Sequence, residues 1–294
     1  MIPNISFKQL SVFNTISQHT TLTAAAKHLF MSKAAVSMAL SELEKQLGQP
    51  LFDRVNKRLI LNQEGKKLRP LADELLRRAM DIKHLFSDDH PLTGQLKIGS
   101  SNTIGNHISP YLISQFRQQT QHFSQHLSIS NSTNICQKLL DFELDLALIE
   151  SKVQHNDLIF LPFSSDEMCL ISANDHPLTK LTNIKSSDLE NSDWVLRELG
   201  SGSRQCFINT LAPTLKQWHL ALQLNSTEAL INSVSAGLGL GCLSTLAAEH
   251  AIAAGRVSLI QTPVKMPRTF YLVIHKNKYQ SPLIKKFMAF CKQW

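Results

Sequence analysis

Between Ser32 and Gly48 the chain carries one helix-length segment with two unlike faces. Val36, Leu40, Leu43 and Leu47 recur at spacings of four, three and four, which puts them on a single helical stripe expected to be buried. Ser32 is a good N-cap and Gly48 a natural stop. The other face opens with Lys33, Ala34, Ser37, Met38 and Ser41, and no acid comes before Glu42. An ordinary surface helix places acids early, where they complement the positive end of its dipole. A helix that approaches a polyanion needs the opposite. Small side chains allow close approach to a major groove, hydroxyls and Lys33 reach phosphates or base edges, and Ala34 or Met38 can touch thymine methyls.

The flanking segments complete such a unit. Phe7, Leu10, Phe13 and Ile16 give one apolar helical stripe. Thr21 can cap a second helix that turns Leu22, Ala25, Ala26 and Leu29 inward, and the small run Ala24 to Ala26 lets another helix come close. Two short helices, a tight turn and a longer third helix make the helix-turn-helix plan. Next, Leu51 to Val55 and Arg58 to Leu61 flank Asn56-Lys57 and read as a two-stranded hairpin with a basic tip. Arg54, Lys57 and Arg58 are expected on adjacent backbone phosphates, as a wing. Charge agrees with this division. The chain has a net charge of +7, and residues 1–70 hold ten Lys and Arg against four Asp and Glu. A basic N-terminal unit on a near-neutral body implies a polyanion partner for the first part only.

Asn62 can cap a further helix that runs to about Ser87, with Leu68, Leu71, Leu75, Leu76, Ile82 and Leu85 as its apolar positions. Pro70 predicts a local bend or an altered start. A long helix outside a compact domain must bury its stripe, either on a second copy of itself or on its own body. Asp88-Asp89-His90-Pro91 reads as a linker. From Gln95 onward short apolar runs alternate with helical stretches. Strands are expected at Leu96–Ile98, Ser128–Ile129, Leu144–Ile149, Met168–Ser172, Trp194–Arg197, Leu220–Leu224, Gly241–Ser244 and Phe270–His275. Helices are expected over 102–118, 134–142 and 282–292. That order predicts an α/β domain with a mostly parallel sheet, long enough for two subdomains with a cleft between them.

The spacing Thr23-x-Ala25-Ala26-x-x-Leu29-x-x-Ser32, Ala35-Val36-Ser37, Leu43-Glu44, Leu47-Gly48-x-x-Leu51-Phe52-x-Arg54 and Asn62-x-Glu64-Gly65 resembles the LysR-type transcriptional regulators, without gaps over some sixty residues. The family often has Gln-Pro where this chain has Lys33-Ala34, and Arg where it has Met38, so the operator sequence does not carry over. The resemblance implies a winged helix-turn-helix domain at 1–62 and a linker and dimerisation helix at 63–88. It implies an effector-binding domain at 92–294 similar to two-lobed periplasmic binding proteins, with lobe I at about 92–161 and 268–294 and lobe II at about 162–267. It also implies a dimer, extended to a tetramer of two dimers, and makes RNA polymerase a candidate partner. Candidate DNA-binding residues are Thr23, Ser32, Lys33, Ala34, Ser37, Met38, Arg54, Lys57 and Arg58. Within the family the likeness points to the branch tied to sulfite and sulfur metabolism, with relatives that control carbon-fixation genes. It is carried by Thr103 to Asn106, Asn131-Ser132, Leu140-Asp141-Phe142, Leu196-Arg197-Glu198-x-Gly200-Ser201-Gly202-Ser203-Arg204 and Gly237-Leu238-Gly239-x-x-Cys242-Leu243-Ser244.

Four hydroxyl-rich segments, Ser100 to Thr103, Ser130 to Thr133, Gly200 to Ser203 and Asn225 to Thr227, each precede a helix. Strand ends and the helix N-termini that follow them face the crevice in open α/β sheets, where free N–H groups suit a small anion. The same residues could simply be N-caps. The candidate effector residues are Ser101, Asn102, Thr103, Asn131, Ser132, Thr133, Glu150, Arg197, Gly202, Ser203, Arg204 and Thr227. Sulfite or sulfate is the first candidate effector and a small organic carboxylate the second.

Rival functions have less support. The glycines at 237, 239 and 241 lack the spacing of a dinucleotide loop, no G-x-S-x-G elbow is present, and His122 and His126 make only a weak metal pair. No catalytic residue, metal or cofactor is expected. The five cysteines lie more than about thirty residues apart, which suits reduced thiols in a cytosolic protein. No apolar stretch is long enough for a membrane span. The expectation is a soluble, cytoplasmic, ligand-responsive regulator that binds double-stranded DNA. A cytoplasmic small-ligand-binding protein without a DNA role, and an enzyme using the cleft, are the alternatives.

Overall fold

The computed structural model describes residues 4–85, 92, 94–182 and 184–294. The expected linker 88–91 and the end of the preceding helix near Ser87 lie outside the described residues.

Three helices, α1 (Phe7–His19), α2 (Leu22–Leu29) and α3 (Lys33–Leu47), form the first unit with the hairpin β1 (Phe52–Val55) and β2 (Arg58–Leu61). Each helix starts on the side-chain oxygen of a cap. Ser6 accepts from the Gln9 N–H, Thr21 from Ala24 and Ser32 from Ala35. Gly48 closes α3 in the left-handed conformation at φ 70°. Val12, Phe13, Ile16, Ala25, Val36, Leu40, Leu43 and Leu51 form the core. Each large apolar side chain buried there contributes about 1.5–3 kcal/mol. Phe7 and Leu47, expected inside, are exposed. They occupy the first and last turns of their helices, beyond the reach of the neighbours that cover the middle. Strand register pairs Val55 with Arg58, leaving Asn56 and Lys57 as a two-residue turn with φ of 47° and 64°. Positive φ at both positions is the backbone of a type I′ hairpin turn.

Helix α4 (Gln63–Leu85) follows, with Asn62 Oδ1 accepting from the Gly65 N–H at 2.9 Å. A Cβ at Gly65 would lie 2.2 Å from the Leu51 carbonyl oxygen, so only glycine lets α4 start this close to the wing. The helix passes through Pro70 uninterrupted from its expected start. It has three distinct sides. Leu68, Ala72 and Leu76 join the core of the first unit. Leu71, Leu75 and Ile82 are exposed. Arg69, Asp73, Arg77 and Asp81, spaced by four, hold the C-terminal domain. Arg69 Nη2 donates to the Asp141 carbonyl at 2.6 Å, Arg77 pairs with Asp73 and Asp145, Lys278 pairs with both of those acids, and Tyr279 donates to Asp81 at 3.0 Å.

The C-terminal domain is built on strands in the order β4-β3-β5-β11-β6-β9-β7-β8, with β10 paired to β6. Its first lobe has β3 (Leu96–Ser101), β4 (Gln125–Ser130) and β5 (Leu146–Ile149) in parallel, with α5 (Asn102–His107), α6 (Ser109–Thr120), α7 (Ser132–Leu140) and α11 (Pro282–Cys291). The second has β7 (Asp193–Arg197), β8 (His219–Leu224) and β9 (Leu240–Ser244) in parallel, with α8 (Gly202–Thr210), α9 (Thr227–Ser235), α10 (Thr245–Ala253) and the short β10 (Ser258–Ile260). Two long strands, β6 (Leu158–Ser172) and β11 (Pro267–His275), pair with each other and run through both lobes. They are antiparallel to each other, β11 is antiparallel to β5 and β6 to β9, so the sheet is mixed rather than mostly parallel as expected. A crossover strand that leaves one lobe for the other, and a second that returns beside it, must run in opposite directions.

The expected helix over 102–118 is two helices broken at Ile108, because Pro110 in the first turn of α6 cannot donate to a preceding carbonyl. The domain core lies on both faces of the sheet. Phe116, Leu146, Phe270 and Phe287 lie on one side of the first lobe, and Ile135, Leu139 and Val273 on the other. Trp194 and Phe207, with ring centroids 4.7 Å apart, anchor the second lobe.

Candidate DNA-binding face and effector cleft

Lys33, Ala34 and Met38 are exposed on α3, Ser37 is half-buried beside them, and Thr23 is exposed on the first turn of α2. Ser32 is exposed, but its hydroxyl already caps α3 at 3.1 Å from the Ala35 nitrogen. Arg54, Lys57 and Arg58 are exposed on the hairpin. None of these three cations has an ion-pair partner among the described residues. The hairpin is fixed to α3 by Glu44, whose carboxylate accepts the Leu51 N–H at 2.8 Å. A helix with an acid-free, small-residue leading face and an adjacent basic hairpin has the form of a groove-reading helix with a phosphate-contacting wing.

The second site lies where the two lobes meet. Ser101 and Glu150 stand at the carboxyl ends of the neighbouring parallel strands β3 and β5, as ligand-facing residues do in α/β sheets. The Ser101 hydroxyl donates to Glu150. From the second lobe, Arg197 forms an ion pair with Glu198 at 2.9 Å and donates to the Thr227 hydroxyl at 3.0 Å. Asn131 caps α7 through the Asn134 N–H and donates to Glu198 across the lobes at 3.1 Å. The Thr133 N–H donates to the Gly200 carbonyl at 3.3 Å, another contact between lobes. Gly202 opens α8 against Glu150, since a Cβ there would lie 2.4 Å from Glu150 Cγ. Ser203 accepts from Arg268 Nη1 at 3.2 Å.

Ser132, in the first turn of α7, is fully buried and its hydroxyl has no hydrogen-bond partner. Thr103 is also buried and Asn102 half-buried, both on α5. Arg204 is turned away toward the sheet edge of its own lobe, where it holds the Arg197 carbonyl at 3.1 Å and Gln223 at 2.5 Å.

Two central residues were absent from the sequence-derived set. Arg268 and Asp166 are register partners on the crossover strands β11 and β6, each with a 2% exposed side chain. Arg268 Nε donates to Asp166 Oδ1 at 2.8 Å, a second nitrogen holds Oδ2, and Ser244 donates to the same carboxylate at 2.6 Å. A legible signal existed. Each stands two residues before an apolar run, Asp166 before Met168 to Ile171 and Arg268 before Phe270 to Ile274, and a buried charge needs a partner.

Burial pushes the thiols of Cys136, Cys169 and Cys291 up to about 12, and those of Cys206 and Cys242 upward as well. Such thiols are poor nucleophiles. Both ring nitrogens of His122 are engaged, by the Gly94 carbonyl at 2.8 Å and the Gln125 side chain at 2.7 Å, so it makes no metal pair with His126. Among the described residues no helix is long and apolar enough to cross a membrane.

Comparison with known proteins agrees with both halves of this geometry. Residues 7–66 match the bacterial regulatory helix-turn-helix protein model of the lysR family, and residues 89–294 match the LysR substrate binding domain. The chain belongs to the LysR family of transcriptional regulators. This LysR-type regulator is 35% identical to the HTH-type regulator YeiE of Escherichia coli strain K12, over 98% of its own length and 97% of that protein. It is 30% identical to a probable RuBisCO transcriptional regulator of Cyanidioschyzon merolae, covering 97% and 96% of the two chains. It is 27% identical to CysL of Bacillus subtilis, covering 94% and 98%. In fold it is similar to full-length OxyR from Pseudomonas aeruginosa, with a TM-score of 0.77 and 22% identity over 98% of this regulator and 95% of that chain. The regulator therefore joins a DNA-binding helix-turn-helix domain to a domain that binds small effectors.

Proposed function

We propose that this protein is a cytoplasmic, homo-oligomeric regulator that reads a double-stranded DNA operator with α3 and the wing and responds to a small oxyanion, sulfite or sulfate, held between the two lobes. The resemblance to the sulfur-metabolism branch, with CysL among its relatives, supports that choice of anion. The observation that carries the cleft reading is the Ser132 hydroxyl. A buried hydroxyl without a partner costs about 1–3 kcal/mol, and this one stands at the N-terminus of a nine-residue helix whose dipole favours an anion. Ser101, Thr103, Asn131, Ser203 and Thr227 would supply further donors, with Arg197 and Arg268 nearby.

The test is a thermal-shift titration with sulfite and sulfate, with small carboxylates as the rival class. A ligand that binds only the folded state stabilises it by about 2.7 kcal/mol at a hundred times its dissociation constant. Ser132→Ala should leave the ligand-free protein at least as stable as before, because it removes an unsatisfied group, yet shrink the oxyanion shift. Thr103→Val should shrink it as well. Melting temperatures that ignore every oxyanion and carboxylate would remove the cleft reading.

The wing is tested separately. Arg54→Ala or Arg58→Ala should weaken binding to all DNA sequences alike and lower the slope of log affinity against log salt by about one. Changes at Lys33, Ser37 or Met38 should alter which sequence is preferred. An unchanged slope in both wing variants would take the wing out of the interface.

A further inference from the structure

The charges at the crossover of the lobes do not balance. Arg197 is committed to Glu198, and Arg268 to Asp166. Glu150 is the carboxyl group left over. Its nearest cation is Arg268 Nη1 at 3.8 Å, on a guanidinium already bound to Asp166. Arg268 faces it from β11, Asp166 from β6, Arg197 from β7, Ser101 from the end of β3 and Gly202 from α8. Two cations thus meet three carboxyl groups, and the cluster is neutral only when one carboxyl carries a proton.

We propose that Glu150 couples the effector cleft to protons: an oxyanion binds together with one proton, which resides on Glu150. The idea rests on the oxyanion reading above and deepens it. Ionised, Glu150 places a negative charge in the cleft and opposes an incoming anion. Protonated, it removes that charge and gains an O–H donor. Burial already raises its carboxyl to about 7, with Asp166 pushing the same way and Arg268 and Arg197 opposing. An anion bound beside it raises the value further, so linkage requires that anion affinity rise as pH falls. The two arginines stay charged throughout and cannot supply that dependence.

Sulfate is the probe, because it carries no proton of its own near neutral pH. Isothermal titration of the full-length protein with sulfate, in buffers of different ionisation enthalpy, counts the protons taken up. We expect uptake approaching one proton above pH 7, with affinity falling toward tenfold per pH unit between about pH 7 and about pH 9. Glu150→Gln, which keeps the shape and cannot ionise, should bind sulfate with no proton uptake and a flat pH profile. Sulfate binding by the native protein that is flat over this range would overturn the proposal while leaving the oxyanion cleft standing. So would a pH slope that survives in Glu150→Gln. Sulfate binding by neither protein at any pH would sink the cleft reading and the proton coupling together.

Discussion

Replacing Asp145 by alanine is expected to destabilise the protein by about 3–5 kcal/mol. Asp145 sits at the joint between α4 and the first lobe, with its side chain 1% exposed. It accepts the Lys97 N–H at 2.9 Å, pairs with Arg77, and lies 3.3 Å from the Lys278 ammonium, which is equally buried. Burial pushes the Lys278 pKa down, the Arg77 charge adds to this, and Asp73 and Asp145 pull it back. Removing Asp145 leaves Lys278 with Asp73 alone and strands a backbone donor. Lys278→Met should cost less, because Asp145 keeps Arg77 and the Lys97 N–H. Chemical denaturation of both variants checks the order. A loss below about 1 kcal/mol for Asp145→Ala would mean that water enters the joint and solvates its charges.

The second large effect is on assembly and, through it, on DNA. Leu75→Lys is expected to separate the protomers, lowering the mass seen by light scattering, and to weaken operator binding by about a hundredfold or more through lost bivalency. Leu71, Leu75 and Ile82 are each about half exposed or more along one side of α4, while Leu68, Ala72 and Leu76 pack on the DNA-binding unit and Arg69, Asp73, Arg77 and Asp81 hold the C-terminal domain. A second copy of the same helix is the occupant that fits a stripe of this length. Leu76 cannot serve for this test. It packs on the core of the DNA-binding unit, and a lysine there would damage that unit directly. A native protein that is monomeric at micromolar concentration would contradict the assembly.

The DNA-binding half was legible because each of its signals is local. Caps, stripe spacing, Gly48 and the turn residues Asn56-Lys57 all act within a few positions of where they stand. The effector half was legible as alternating elements, and of the candidate cleft residues Ser101, Asn131 and Ser203 do gather where the lobes meet. The long strands β6 and β11 were read only in part, since polar residues such as Ser164, Ser165 and Asp166 interrupt their apolar runs. That same interruption hid the Arg268–Asp166 pair, whose partners are 102 residues apart and meet only through strand register. Arg204 shows the converse. Its place next to Ser203 suggested the cleft, but one step along α8 points its guanidinium at the sheet edge instead.

Footprinting of the full-length protein on the DNA upstream of its own coding region, with and without sulfite or sulfate, tests most directly that one chain joins operator reading to anion sensing. The expected result is a protected site whose extent or affinity changes when the oxyanion is added, and does not change in a Ser132→Ala variant that binds the same DNA. Protection that is identical with and without oxyanion, in a protein shown by thermal shift to bind that oxyanion, would contradict it.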